Sequence, residues 1–78
     1  MIPGNYNVAI ALRFPEFEMD TATDGTVTVD EDGATYQEIV DGLVAGCSES
    51  ARKNAAKDGI VIPANSTPSI IFLQIELN

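Results

Sequence analysis

The chain has no histidine and no tryptophan, one cysteine, and only four basic residues in 78. Each shortage removes a class of chemistry. Without imidazole there is no ordinary general base near neutral pH, which tells against Ser-His-Asp and Cys-His nucleophilic catalysis. With Cys47 alone and no histidine, a thiolate zinc centre has no ligand set. Cys47 cannot close an internal disulfide, which fits a reducing cytoplasm. No apolar run approaches the roughly 20 residues that span a bilayer. Met1-Ile2-Pro3-Gly4 lacks the basic start and apolar segment of a secretory leader. So few Lys and Arg leave no basic patch for phosphate backbones or anionic lipid, so neither direct nucleic-acid binding nor membrane binding is expected.

What is abundant is negative charge. Twelve acids give a net charge of −8. Residues 1–50 carry ten acids against Arg13 alone, while Arg52, Lys53 and Lys57 stand against Asp58 and Glu76 in the remainder. The stretch Glu16–Asp32, EFEMDTATDGTVTVDED, holds seven carboxylates and no base. An acidic surface attracts cations and basic protein surfaces.

A chain of this length forms one domain, residues 1–78, and buries only roughly 60–65% of its unfolded surface. Its patterning reads as α+β. In NYNVAIALRF, Tyr6, Val8, Ile10, Leu12 and Phe14 alternate with smaller or polar residues, the period of a strand. Pro15 breaks that ladder. Residues 16–21 read as a second strand, or a bent continuation of the first, with Glu16, Glu18 and Asp20 on one face. Asp24-Gly25 is a hairpin turn signal, and TVTVD follows as a third strand with Val27 and Val29 inward. Thr35 and Glu38 form a capping box ahead of a helix whose apolar stripe runs Tyr36, Ile39, Val40, Leu43, Val44 and Cys47, thinning at Ala51 and Ala55. Gly59 is placed to stop it. Gly42 and Gly46 flank the stripe, where close packing on a sheet would account for them. SIIFLQIELN reads as a final strand, central or covered on both faces at its start. The expected order is β-β-β-α-β: a three-stranded antiparallel meander, one helix and a final strand in a two-layer sandwich.

Three readings compete for the acidic stretch. From Asp20 to Glu31 the residues partly match a calcium loop, with Asp20, Asp24, Gly25, Val27, Thr28 and Glu31 in register but Ala22 at a ligand position. Alternatively, Glu16, Glu18, Asp20, Asp24, Asp30, Glu31 and Asp32 form a surface that meets a basic groove and competes with nucleic acid there. The bland reading is a solvated face whose charges keep an edge strand from aggregating. No carboxylate pair stands out as a hydrolytic dyad. Tyr6 and Tyr36 read as core-edge residues, and Cys47 as buried rather than nucleophilic.

Several segments resemble HicB-like antitoxin domains. YNVAIALRF looks like that family's first strand, and RFPEFE like its Phe-Pro-acid segment. TYQEIVDGL, KDGIVIP and SIIFLQIEL resemble its helix start, the helix stop with a proline-containing loop, and the last strand. The resemblance implies a partial RNase H-like fold and inhibition of a small basic RNase toxin by protein–protein contact. The family's DNA-binding extension has no counterpart in these residues, so operator autoregulation is not implied. Phage anti-CRISPR proteins are a second class of small, acidic chains without catalytic signatures.

The sequence therefore points to a cytoplasmic, non-enzymatic binding protein with no cofactor and no metal. Its contacts would be the seven acids from Glu16 to Asp32, and its partner a basic, nucleic-acid-handling protein. A calcium module and a homo-oligomeric assembly subunit, such as a homodimer, are the alternatives.

Overall fold

A computed structural model describes all 78 residues. Three strands and one helix follow in the order β1 (Gly4–Phe14), β2 (Met19–Val29), α1 (Tyr36–Lys57) and β3 (Ser69–Leu77). The sheet is antiparallel throughout, in the order β2-β1-β3, with α1 packed against β1 and β2. This is the expected α+β layout of one helix on an antiparallel sheet with a final strand. The molecule is elongated along its strands, 42 × 19 × 19 Å.

β1 is the central strand, and its alternation explains why. Tyr6, Val8, Ile10, Leu12 and Phe14 all lie on the helix side and are buried, Leu12 completely. Burying one such side chain is worth about 1.5–3 kcal/mol, so this row dominates the core. Cys47, Ala51 and Ala55 of α1 meet it, with Val29 of β2 and Ile62 of the following loop, and Val40 of α1 is buried as well. The alanines Ala51 and Ala55 pack under Phe14 and Ile62. There the helix can approach closely because its side chains are short.

The chain turns at a different place from the one expected. Pro15–Phe17 form one turn of 3₁₀ helix, and Glu18 follows in the left-handed region at φ 49°, ψ 39°. Its N–H donates to the Pro15 carbonyl. Asp24-Gly25 is not a turn: Asp24 lies opposite Ala9 and Gly25 opposite Val8. The segments expected as second and third strands are thus one strand of 11 residues. Pro15 ends the ladder, and the immediate reversal lets β2 pair with the whole of β1. Glu16 and Glu18 consequently sit in the turn, and Asp20 alone of that trio lies in a strand.

The helix ends are as the sequence predicts. The Thr35 hydroxyl accepts from the Glu38 N–H at 3.1 Å, and the Glu38 carboxylate accepts from the Thr35 N–H at 3.4 Å. At the other end Gly59 adopts φ 78°. The N–H groups of Gly59 and Ile60 donate to the Ala56 and Ala55 carbonyls, a Schellman arrangement. Tyr36 departs from the expected stripe and is exposed, and Gly42 and Gly46 face open space. Nothing in the structure explains those two glycines. No helix is long and apolar enough to cross a membrane.

β3 also differs from expectation. It pairs with β1 alone, with a register shift opposite Ala11/Leu12, and its other edge is free. Ile70, Ile71 and Phe72 are exposed rather than covered on both faces: α1 lies over the other two strands, and Phe72 stands on the face that carries no helix.

Candidate partner-binding surface

Only one face of the sheet carries a helix, so the other is open. The register places Asn5, Asn7, Ala9, Ala11 and Arg13 of β1 there. Thr28, Thr26, Asp24, Ala22 and Asp20 of β2 lie beside them, and Glu76, Gln74 and Phe72 of β3 stand on the other side. The middle strand contributes small residues where its neighbours contribute larger ones. The result is a shallow trough. At one level it is lined by Asn7, Ala9, Asp24, Thr26, Gln74 and Glu76, and further along by Ala11, Ala22 and Phe72. Two side-chain bonds brace the polar end: Thr28 Oγ1 to Asn5 Oδ1 at 2.9 Å, and Asn7 Nδ2 to Asn78 Oδ1 at 2.8 Å.

The seven acids of Glu16–Asp32 are all exposed. They do not gather into one patch. Glu16, Glu18 and Asp20 lie at the turn end of β2, and Asp30, Glu31 and Asp32 follow its other end. The ten residues from Asp20 to Asp30 extend about 34 Å at strand rise. Asp24 stands between the two groups, on the open face. The arrangement is a line along one long side of the molecule, because β2 is an outer strand running most of its length. Asp20, Asp24 and Glu31 do not converge, since residues 20–29 are extended strand rather than the loop on which a calcium sphere depends. No group of three or more potential metal ligands clusters anywhere in the fold.

Of the seven, only Asp20 meets a cation within the molecule. Its Oδ1 accepts from Arg13 Nη1 across the β1–β2 pair at 2.8 Å, on the exposed face. The remaining ion pair joins Glu49 and Lys53 on α1. The other six carboxylates of the stretch pair with no cation inside the molecule, so an external Lys or Arg could approach without first breaking an internal pair. Water screens such contacts one by one, and each is worth well under 1 kcal/mol until a partner excludes solvent. A desolvating surface makes the same contacts charge-assisted and stronger.

Cys47 is buried against β2, its Sγ 3.9 Å from Thr21 Oγ1, and is not placed to act as a nucleophile. Tyr6 is buried with its hydroxyl donating to the Ile2 carbonyl.

Two features escape the sequence reading. Glu76, distant in sequence from the acidic stretch, faces the trough level with Thr26, across β1 from the strand that carries Asp24. No local signal marks it; it is found only once β1 is known to lie between the two strands. The second is the free apolar edge of β3. Its signal was SIIFL, a run that resembles a covered strand but whose cover this fold does not supply. Comparison with protein-family models, with curated proteins and with solved structures finds no match to this chain.

Proposed function

We propose that the protein is a non-enzymatic inhibitor that binds a basic, nucleic-acid-handling protein and blocks it, as an antitoxin or a phage anti-CRISPR protein does. One observation carries this reading: six of the seven acids from Glu16 to Asp32 have no cation within the molecule, and all seven lie exposed along β2 and its two ends. A line of carboxylates over roughly 34 Å suits an elongated basic groove better than a point-like site. A groove that binds a nucleic-acid strand has that shape and charge, and a protein lying in it would compete with the strand. The trough adds Asp24 and Glu76 on either side of small residues, room for the stem of a Lys or Arg whose head reaches an acid. The resemblance to HicB-like antitoxins favours an RNase as the partner. A lone buried thiol suits a reducing compartment such as the cytoplasm.

The test is affinity capture of the tagged chain from nuclease-treated extract of its cell of origin or that cell's host, beside the variant Asp24→Lys/Asp30→Lys/Asp32→Lys. None of these three side chains makes an internal contact with a base, so the variant should keep its fold, which circular dichroism checks. The expected result is a basic nuclease or nucleic-acid-binding protein enriched by the native chain and lost from the variant. Equal enrichment by both would contradict the proposal.

A further inference from the structure

The acidic line along β2 begins at the turn Pro15–Glu18, and there the chain meets the loop that leads into β3. Between them lies a cavity of about 150 Å³, lined by Phe14, Pro15, Glu16, Phe17, Ser66 and Thr67. It is smaller than the roughly 300 Å³ at which small-molecule sites begin, and its scale is that of one long side chain. Both walls are fixed. Phe14 is buried in the core, Phe17 packs against the same cluster, and the Glu18 N–H closes the turn on the Pro15 carbonyl. On the loop side the Ser66 N–H donates to the Pro63 carbonyl at 3.0 Å. Arg52 Nη2 donates to the Ala64 and Ser66 carbonyls at 3.4 and 3.5 Å. Arg52 is thus committed to the loop backbone and does not line the cavity.

We propose that this cavity receives one arginine side chain of a basic protein partner. The lining selects that guest. Phe14, Pro15 and Phe17 offer carbon, Ser66 and Thr67 offer hydroxyls, and Glu16 is the only charge. The Glu16 carboxylate pairs with no cation inside the molecule. An acidic guest would meet that carboxylate and the field of a chain of net charge −8. A wholly apolar guest would touch the rings but shut water away from Glu16 and the hydroxyls without replacing its hydrogen bonds. An arginine meets both halves of the lining. Its stem packs along carbon while its head donates to carboxylate and hydroxyl oxygens. Guanidinium suits the site better than ammonium, being planar, weakly hydrated and attracted to aromatic rings.

The proposal rests on the reading of the chain as an inhibitor of a basic partner, and it names a side chain that the partner would insert. A residue entering a formed pocket dominates the affinity of an interface, while the contacts around it contribute less. Here the pocket is already built in the free protein, by the turn on one side and the clamped loop on the other, so little has to be ordered on binding. The division of labour follows. Acids farther along β2 and beyond it, from Asp20 to Asp32, steer the partner onto the molecule. The cavity then fixes the register at one end of the line.

Titration of the free protein with N-acetyl-arginine amide, followed by amide NMR, tests the proposal. N-acetyl-citrulline amide, the same shape without the charge, is the control. The arginine probe should move the amides of Phe14, Glu16, Phe17, Ser66 and Thr67 saturably, with a dissociation constant on the order of 1–10 mM. The citrulline probe should bind roughly fivefold or more weakly, and so should the arginine probe to Glu16→Gln. Thr67→Trp, which fills the cavity and leaves every charge in place, should abolish binding. Asp30→Asn, at the far end of β2, should leave it unchanged. Circular dichroism checks each fold; if Thr67→Trp does not fold, Glu16→Gln and the citrulline probe decide. Four results would each overturn the proposal: no saturable shift at about 50 mM probe, equal shifts at Asp30–Asp32, equal binding of citrulline, or binding retained in a folded Thr67→Trp. The titration needs no partner, so the two readings fail separately. A silent titration with capture intact refutes the cavity alone. Saturable binding here with no basic protein captured supports the arginine site and refutes the inhibitor.

Discussion

Glu18 sits in the left-handed region at φ 49°, ψ 39°, directly after the 3₁₀ turn. A side chain there costs roughly 1–2 kcal/mol that glycine avoids, partly offset by glycine's greater freedom in the unfolded chain. Glu18→Gly should therefore raise stability by about 0.5–1 kcal/mol, while Glu18→Ala should not; urea unfolding compares the two. Keeping a glutamate in a position glycine would fill better is consistent with a use for its charge. Leu12 tests the opposite extreme. It is fully buried between α1 and the sheet, so Leu12→Ala should cost about 2–5 kcal/mol. In a domain this small that is a large part of the total stability, and the thermal midpoint should collapse.

Among the elements, the sharpest test falls on β2. Gly25 is paired with Val8 in mid-strand, its φ is not left-handed, and a Cβ there would meet nothing within 4 Å. Gly25→Val should be tolerated and should stabilise by up to about 1 kcal/mol, a rise of several degrees in the thermal midpoint. Were Asp24-Gly25 a hairpin turn, the same change would be strongly destabilising. The sequence held the clue to this strand. Met19, Val27 and Val29 share one odd-numbered phase, as a single unbroken strand requires, whereas the local Asp-Gly signal argued for a break. Pairing with an 11-residue β1 overrode the dipeptide. β1 and both ends of α1 were legible because each rests on local rules: strict alternation, a capping box and a glycine stop. The status of β3 was not, since SIIFL says only that cover is wanted, and what supplies it depends on where α1 lies. The acids were legible as residues but not as a surface. Their division between the two ends of β2 follows from the turn at Pro15–Glu18.

For the molecule as a whole, the net charge of −8 sets the response to salt. Self-repulsion opposes the compact state, so raising salt from about 0.02 M to about 0.5 M should raise the thermal midpoint by a few degrees. The same change should weaken a complex built on carboxylate–Arg and carboxylate–Lys contacts. Opposite responses to one variable separate the fold from its proposed use. The molecule is asymmetric across its width: an acidic strand on one side, an apolar strand on the other, and a polar trough between them on the uncovered face. The most direct measurement of that division of labour is amide hydrogen exchange on the complex with the captured partner, compared with the free protein. The account predicts slowed exchange in residues 18–32 on binding, with α1 unchanged. Protection confined to α1 or to residues 69–77, with 18–32 exchanging as in the free chain, would contradict it.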